Sequence, residues 1–155
     1  MDYNFEKFIK LTKAMSESPY NTYGIGQYIK NKGNISEPFI LLRHDVDLEL
    51  ALAVRMSEVE KDFGISSTYY IRVTENKRLR EPKLIKQLEL NGHEVGYHYE
   101  VVDKCQGDLT KSKNILKKEI DLLRQTCNIE TACMHGKPWT KWDNKQIWDV
   151  ISLEE

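Results

Sequence analysis

The chain has 155 residues and a nearly balanced charge, with 23 Lys and Arg against 24 Asp and Glu, which predicts a single domain and no nucleic-acid-binding surface. No apolar stretch approaches the roughly 20 residues needed to span a bilayer, and the acidic N-terminus lacks the apolar segment of a secretory signal. The odd count of three cysteines does not match a disulfide framework. We therefore expect a soluble cytoplasmic protein that binds neither membrane nor nucleic acid.

Residues 1–36 are predicted to form a helical N-terminal extension. Apolar residues at helical spacing predict one helix over 3–15 and a shorter one over 25–32, which Gly33 ends. A turn-rich connector that contains Pro19 is expected between them, over 16–23.

Residues 37–155 alternate between short apolar segments and longer amphipathic ones. The predicted strands cover 38–43, 66–72, 93–97 and 130–134. The predicted helices cover 48–63, 81–90 and 109–126, and a last one begins at Asp143. This alternation predicts an α/β fold with a parallel sheet and right-handed crossovers.

Ionisable side chains follow three of the four predicted strands. His44, Asp45 and Asp47 come directly after the first, His98 follows the third, and His135 follows the fourth. Burying such groups is costly unless they are paired or bound to a metal. Because the carboxyl ends of parallel strands meet at one edge of a sheet, we expect these groups to converge and form a site.

Each of these residues also has a structural interpretation. Asp45 can instead cap the helix expected to begin near Leu48, and His98 taken alone is more often a hydrogen-bonded histidine in a packed interior. His135 is balanced between a metal ligand and a core residue. His93 is expected to be structural, donating a hydrogen bond within the sheet.

Two glycines and two tryptophans lie beside these positions. Gly92 and Gly96 are expected to allow close backbone approach rather than phosphate binding. Trp139 and Trp142 offer a sugar-stacking platform next to the site, although packing within a loop is the simpler interpretation.

The motif residues resemble a known family. Residues 43–47, Arg-His-Asp-Val-Asp, and residues 92–98, Gly-His-Glu-Val-Gly-Tyr-His, resemble the first two motifs of the polysaccharide deacetylase (NodB-homology, carbohydrate esterase 4) superfamily. They look most like an uncharacterised branch that writes its first motif in this way. Residues 133–138, Cys-Met-His-Gly-Lys-Pro, are also similar to that branch, as are Asp143, Asn144 and Trp148. The resemblance covers about residues 38–150.

The resemblance implies a distorted (β/α) barrel that uses a divalent metal, usually zinc, to hydrolyse N-acetyl groups on sugars. It implies that Asp45 is the catalytic base, Asp47 a metal-binding carboxylate and His98 the first metal-binding histidine. A full barrel takes about 250 residues, so residues 37–155 are expected to be the N-terminal part of one, apparently truncated.

The chain also departs from the family pattern. The second histidine of the family lies four residues after the first, where this chain has Val102, and no histidine follows His135 to protonate a leaving amine. We therefore expect His135 to be the third ligand, with Glu100 and His44 as the next candidates. Arg43 and Trp139 are the expected substrate contacts.

The sequence leaves several functions open. The first is a metal-dependent hydrolase of amide C–N bonds that deacetylates an N-acetyl sugar or a related small molecule. The second is a non-catalytic half-barrel that binds metal or carbohydrate. A third is an iron site of two histidines and one carboxylate, and the Asp-x-Asp pattern of glycosyltransferases ranks below all of these. An open barrel also predicts self-association through the exposed edge of the strand at 131–134.

Overall fold

The computed structural model describes residues 4–73, 79, 81–136 and 139–151. The strands are β1 (Asn21–Tyr23), β2 (Phe39–Leu41), β3 (Arg43–Val46), β4 (Thr68–Ile71), β5 (Glu94–Tyr99) and β6 (Ile129–Met134). The α-helices are α1 (Phe5–Ser16), α2 (Ile25–Asn31), α3 (Leu50–Asp62), α4 (Pro82–Leu90), α5 (Val101–Lys104) and α6 (Leu109–Arg124). Short 3-10 turns cover Lys32–Asn34 and Asn144–Asp149. None of the described helices combines the length and apolar character needed to cross a bilayer.

The strands form two parallel sheets. A four-stranded sheet has the order β3-β4-β5-β6, and β1 pairs with β2 in a separate two-stranded sheet. Leu42 connects the sheets, because its N–H donates to the Tyr23 carbonyl at 3.0 Å and its carbonyl accepts from the Thr68 N–H at 3.1 Å. The predicted α/β class with parallel strands is confirmed.

The structure corrects four sequence-based boundaries. The strand predicted over 38–43 is divided at Leu42, and β3 continues to Val46. The connector predicted over 16–23 contains β1. The helix predicted from Asp143 is a 3-10 turn, although Asp143 does cap it by accepting from the Lys145 N–H at 2.9 Å. The four-residue helix α5 was not predicted, because it is too short for a periodic pattern to identify.

Side chains alternate between the two faces of the four-stranded sheet, as the strand period requires. The helix-facing side carries the apolar core, in which Tyr69, Ile71, Val95, Tyr97 and Tyr99 pack with residues of α3, α4 and α6. The intervening positions carry polar residues or glycine and form the opposite, polar face of the sheet. On β3, β4 and β5 these residues are Arg43, Asp45, Thr68, Tyr70, Glu94, Gly96 and His98.

Gly96 on β5 allows a tyrosine ring to cross the polar face of the sheet. A Cβ atom at Gly96 would overlap the Tyr70 ring and would lie 3.0 Å from Thr131 Oγ1, a tight contact. The prediction of close backbone approach is therefore wrong at both glycines: the nearest neighbours of Gly96 are side chains, and nothing lies within 4 Å of a Cβ atom at Gly92. Gly92 ends α4 with a φ of 93°, a conformation that glycine adopts without strain.

A buried carboxylate network lies on the helix side of the sheet. Glu60 of α3 is fully buried, and its Oε1 lies 2.6 Å from His44 Nε2. Its Oε2 accepts hydrogen bonds from Ser67 Oγ at 2.7 Å and from the Tyr69 hydroxyl at 2.8 Å. His93 Nδ1 lies 2.9 Å from the same Ser67 Oγ. His44 thus faces away from Asp45 and Asp47, and its place among the candidate metal ligands is wrong.

The network makes stability depend on pH. Burial holds the pKa of His93 below its ordinary value of 6.5, so the folded protein keeps this imidazole neutral. The unfolded chain takes up a proton near pH 6.5, and stability is therefore lost as the pH falls from there through the lowered pKa. Burial is the largest single effect and raises the pKa of Glu60, but the hydrogen bond and charge of His44 together with the hydrogen bonds from Ser67 and Tyr69 outweigh it. The pKa of Glu60 is therefore lowered, which adds a further loss of stability at more acidic pH.

We expect the free energy of unfolding to fall as the pH is lowered from about 7.5 to about 5.5. The fall is at most about 1.4 kcal/mol per pH unit for each proton that the unfolded chain takes up and the folded protein does not. Urea denaturation at the two pH values measures this change. The variant His93→Gln cannot take up this proton and is expected to have a smaller slope than the wild type; the slope that remains comes from His98, whose pKa burial also lowers. An equal slope in both proteins would contradict the assignment to His93.

β6 is the last strand of the four-stranded sheet and has no described strand on its outer side. The Asn144–Asp149 turn packs against α5 and α6, and Trp148, Ala132 and Ile151 line a groove beside α6. We keep the proposal that this edge associates with a second copy, because unpaired edges and apolar grooves favour association.

The expected result is concentration-dependent sedimentation at high micromolar protein. Ile151→Asp places a charge in the groove and is expected to shift the protein toward the monomer. A monodisperse wild-type monomer at the same concentration would contradict self-association.

Candidate metal centre

The register of the sheet brings the predicted site residues to one face. Asp45 pairs with Tyr70, Tyr70 pairs with Gly96, and His98, two residues further along β5, pairs with Cys133 of β6. Asp45 and His98 lie inside their strands, whereas the sequence predicted them after the strand ends. Asp47 and His135 are the first residues past β3 and β6. Because Asp45 lies within β3 and α3 begins only at Leu50, its alternative role as a helix cap is excluded.

The ligand atoms of the predicted site lie within a few ångströms. His98 Nε2 is 3.9 Å from Asp45 Oδ2 and 3.9 Å from Asp47 Oδ1. His135 Nε2 is 3.5 Å from Asp47 Oδ1. Asp47, His98 and His135 each offer one ligand atom, and these atoms all lie within 4.8 Å of one another. The expected convergence is therefore observed, while the chemical roles of these residues stay predictions.

His98 is held with one ring nitrogen facing the carboxylates. Its Nδ1 lies 3.1 Å from the carbonyl oxygen of Cys133, which can only accept, so Nδ1 carries the proton and Nε2 keeps its lone pair. The side chain is 3% exposed, and burial lowers the pKa of His98 below its ordinary value despite the nearby Asp45. Neutral imidazole is the form that binds a metal.

His135 has an unsatisfied nitrogen on the side away from Asp47. Its backbone N–H donates to the Tyr99 carbonyl at 2.7 Å, which fixes the chain just after β6. Its Nδ1 is buried and has no hydrogen-bond partner among the described residues, although Glu100 Oε2 lies 3.5 Å away. A carboxylate behind a histidine is the usual arrangement at metal ligands, where it sets the ring orientation and the tautomer. The unpaired Nδ1 fits a site in which His135 and Glu100 come within hydrogen-bond distance when an ion binds.

Glu100 faces His135 from an ion-pair network. Its Oε1 accepts a 2.6 Å hydrogen bond from Arg72 and lies 3.7 Å from Lys104 Nζ. Burial is the largest single effect and raises the pKa of Glu100, but the hydrogen bond and charge of Arg72 and the charge of Lys104 together outweigh it. The pKa of Glu100 is therefore lowered, and the group is ionised. Glu100 was a candidate ligand, yet the structure places its free oxygen behind His135 rather than beside Asp47.

Arg43 bridges Asp45 and a cysteine. One guanidinium nitrogen donates to Asp45 Oδ2 at 2.9 Å and another donates to Cys133 Sγ at 2.8 Å. Asp45 is thereby ion-paired with Arg43 at hydrogen-bond distance. Among the described residues, the cationic side chain near Asp47 is Arg72, at a longer 3.4 Å. The difference favours Asp47 over Asp45 as a metal ligand. Arg43 was the expected substrate contact, and its partly exposed side chain borders the site.

The two tryptophans have different surroundings. Trp139 is 97% exposed, so the packing alternative does not describe it. Trp142 does pack, because a Cβ atom at Gly107 would lie 2.4 Å from Trp142 Cζ3. Residues 137–138 of the third motif lie outside the described residues.

Sequence reasoning missed Cys133 and Arg72 as neighbours of the site. Strand alternation provided a signal for Cys133, because it lies on β6 two residues before His135, which directly follows that strand, and residues two apart face the same side. Arg72 follows β4 directly, and its side chain reaches Glu100 of the next strand.

Comparisons with known proteins give no relative: no family model, curated protein or solved structure matches this chain. The resemblance to the deacetylase motifs therefore depends on the motif residues themselves. Function has to be argued from the chemistry of the site.

Proposed function

We propose that this protein is a metal-dependent hydrolase of amide C–N bonds, with an N-acetyl sugar or a related small molecule as substrate. The observation that carries the proposal is the group Asp47, His98 and His135, in which the His98 Nε2 lone pair faces two carboxylates. We also propose that residues 37–155 are the N-terminal part of a (β/α) barrel of the deacetylase type. The three cysteines are free thiols, which fits the reducing cytoplasm.

The ligand set fits a divalent metal, and zinc best. One carboxylate and two imidazoles are a common set for catalytic zinc and leave a position open for water or substrate. When bound, zinc supplies a Lewis acid that lowers the pKa of water and stabilises negative charge on the carbonyl oxygen. The same three residues also suit non-haem iron, so metal analysis has to separate the two.

Asp45 is the proposed general base. Its Oδ2 lies 3.9 Å from His98 Nε2, which places it beside the ligand group, and Arg43 donates to that same oxygen at 2.9 Å. A carboxylate in that position can accept a proton from a water attacking the amide carbon. Arg43 and the exposed Trp139 are the proposed substrate contacts, with Trp139 offering its ring to the apolar face of a sugar.

The alternative function is metal or carbohydrate binding without efficient catalysis. The chain has four histidines. Two of them, His44 and His93, lie in the Glu60 network, and the other two are the proposed ligands. No histidine is left to protonate the leaving amine, a contribution typically worth 10²–10⁴-fold in rate. Slow turnover, or binding alone, is therefore a specific expectation.

The test is a deacetylation assay on small N-acetyl sugars and chitooligosaccharides with protein reconstituted with Zn²⁺, Fe²⁺ or Mn²⁺. Metal-dependent release of acetate that Asp45→Asn abolishes, at unchanged metal content, would support hydrolysis. Metal and sugar binding without acetate release would favour the alternative. Turnover that requires oxygen and Fe²⁺ would favour the iron site.

A further inference from the structure

A second group of ligand atoms overlaps the proposed metal centre. Asp45, His98 and Cys133 each offer one ligand atom, and these atoms also lie within 4.8 Å of one another. His98 belongs to both groups. Because its Nδ1 is engaged with the Cys133 carbonyl, only Nε2 is available, and it can bind one ion at a time. The two groups therefore describe two mutually exclusive positions for an ion.

A positive charge already occupies the second position. The Arg43 guanidinium donates to Asp45 Oδ2 at 2.9 Å and to Cys133 Sγ at 2.8 Å, so it binds two of the three ligand atoms. The Arg43 side chain is 46% exposed and can move into solvent. The carboxylate and the sulfur are thus arranged around a cation that a metal ion can replace.

Cys133 differs from the other two cysteines in its surroundings. Cys105 and Cys127 are buried in the protein, whereas Cys133 is partly accessible on the polar face of the sheet. Burial raises the pKa of Cys133, and the charge of Arg43 opposes that effect. A thiolate selects soft ions such as Cd²⁺ and Zn²⁺ over Mg²⁺ and Ca²⁺.

We propose that Asp45, His98 and Cys133 form a second binding mode of the centre, which takes a thiophilic divalent cation in place of the Arg43 guanidinium. The Cys133 thiol loses its proton to solvent as the sulfur binds the ion, and Arg43 stays protonated and moves outward. An ion in this mode engages the proposed base Asp45 and removes His98 from the Asp47 group. An ion bound in this mode, rather than in the Asp47 group, therefore inhibits the protein, and this part of the proposal rests on the proposed function.

The test is titration of the metal-free protein with Cd²⁺, followed by the ultraviolet charge-transfer band of a cadmium–thiolate bond and by calorimetry. Wild type is expected to show the band with one equivalent of ion. Cys133→Ser is expected to lose the band and to bind Cd²⁺ at least about 100-fold more weakly. Loss of a residue that only hydrogen-bonds to a metal ligand costs up to about 100-fold, and loss of a ligand is expected to cost no less. Arg43→Leu is expected to tighten binding, because it removes the competing cation without adding a ligand.

Cys105→Ala and Cys127→Ala are the matched controls, and each is expected to keep the band. Circular dichroism of every variant reports whether it folds. Cd²⁺ binding without a charge-transfer band, or a band that survives in Cys133→Ser, would overturn the second mode. In that case, Zn²⁺ binding that Asp47→Ala abolishes would leave the proposed function standing. If the wild-type protein binds neither Cd²⁺ nor Zn²⁺, both proposals are overturned.

Discussion

Asp47→Ala is expected to weaken Zn²⁺ binding by about 100-fold or more, whereas Asp45→Ala is expected to change it much less. Asp47 Oδ1 lies near the ring nitrogens of both His98 and His135, at 3.9 and 3.5 Å. Asp45 is instead tied to Arg43. Loss of Asp47 removes a proposed ligand, while loss of Asp45 removes the proposed base and leaves Arg43 without its carboxylate partner. Isothermal titration of both variants with Zn²⁺ measures the difference.

Glu100→Gln tests the contact between Glu100 and His135 Nδ1, the ring nitrogen that faces away from Asp47. It keeps the shape of the side chain but removes the charge facing His135 Nδ1, and an intermediate loss of about 10–100-fold is expected. Equal losses in Asp45→Ala and Asp47→Ala would contradict the division of roles between the two carboxylates.

Glu60→Ala is expected to lower the free energy of unfolding by about 3–5 kcal/mol, because each buried group left without its hydrogen-bond partner costs about 1–3 kcal/mol. Glu60 is fully buried and serves His44, Ser67 and Tyr69 at once. Its removal leaves all three without their acceptor and opens a cavity under β3 and β4. Urea denaturation near neutral pH measures the loss.

Glu58→Ala is the matched control, because Glu58 is an exposed residue of the same helix. Its effect is expected to stay within about 0.5 kcal/mol. A small effect at Glu60 would mean that the network is replaced easily by water or by repacking of the side chains around it.

The sequence predicted those helices whose apolar residues recur at helical spacing and whose ends are marked by a glycine. Helices α3, α4 and α6 follow from their apolar spacing, and Gly64 and Gly92, both at positive φ, end the first two of these. Strand β1 could not be predicted, because three residues without apolar alternation pair only when β2 is placed beside them. The division at Leu42 has the same cause, since its two backbone groups bond to different strands.

The candidate site was predictable as far as its strand positions. Asp45, Asp47, His98 and His135 were identified because each stands at or near the carboxyl end of a parallel strand. The rejection of His44 follows from strand alternation, which sends adjacent residues to opposite faces. The partner of Cys133 was beyond sequence reasoning, because the Arg43 contact spans 90 residues and depends on the register of four strands.

The hydrogen bond between His98 and the Cys133 carbonyl joins the metal centre to the outermost strand of the sheet. Anything that binds along β6 and shifts that carbonyl also rotates the imidazole and alters its affinity for an ion. Thermodynamic linkage makes the effect reciprocal: a metal that favours one position of β6 strengthens or weakens binding at that edge by the same factor. If the protein both assembles through β6 and binds a metal as proposed, the two equilibria are coupled, and each has to be measured with the other held fixed.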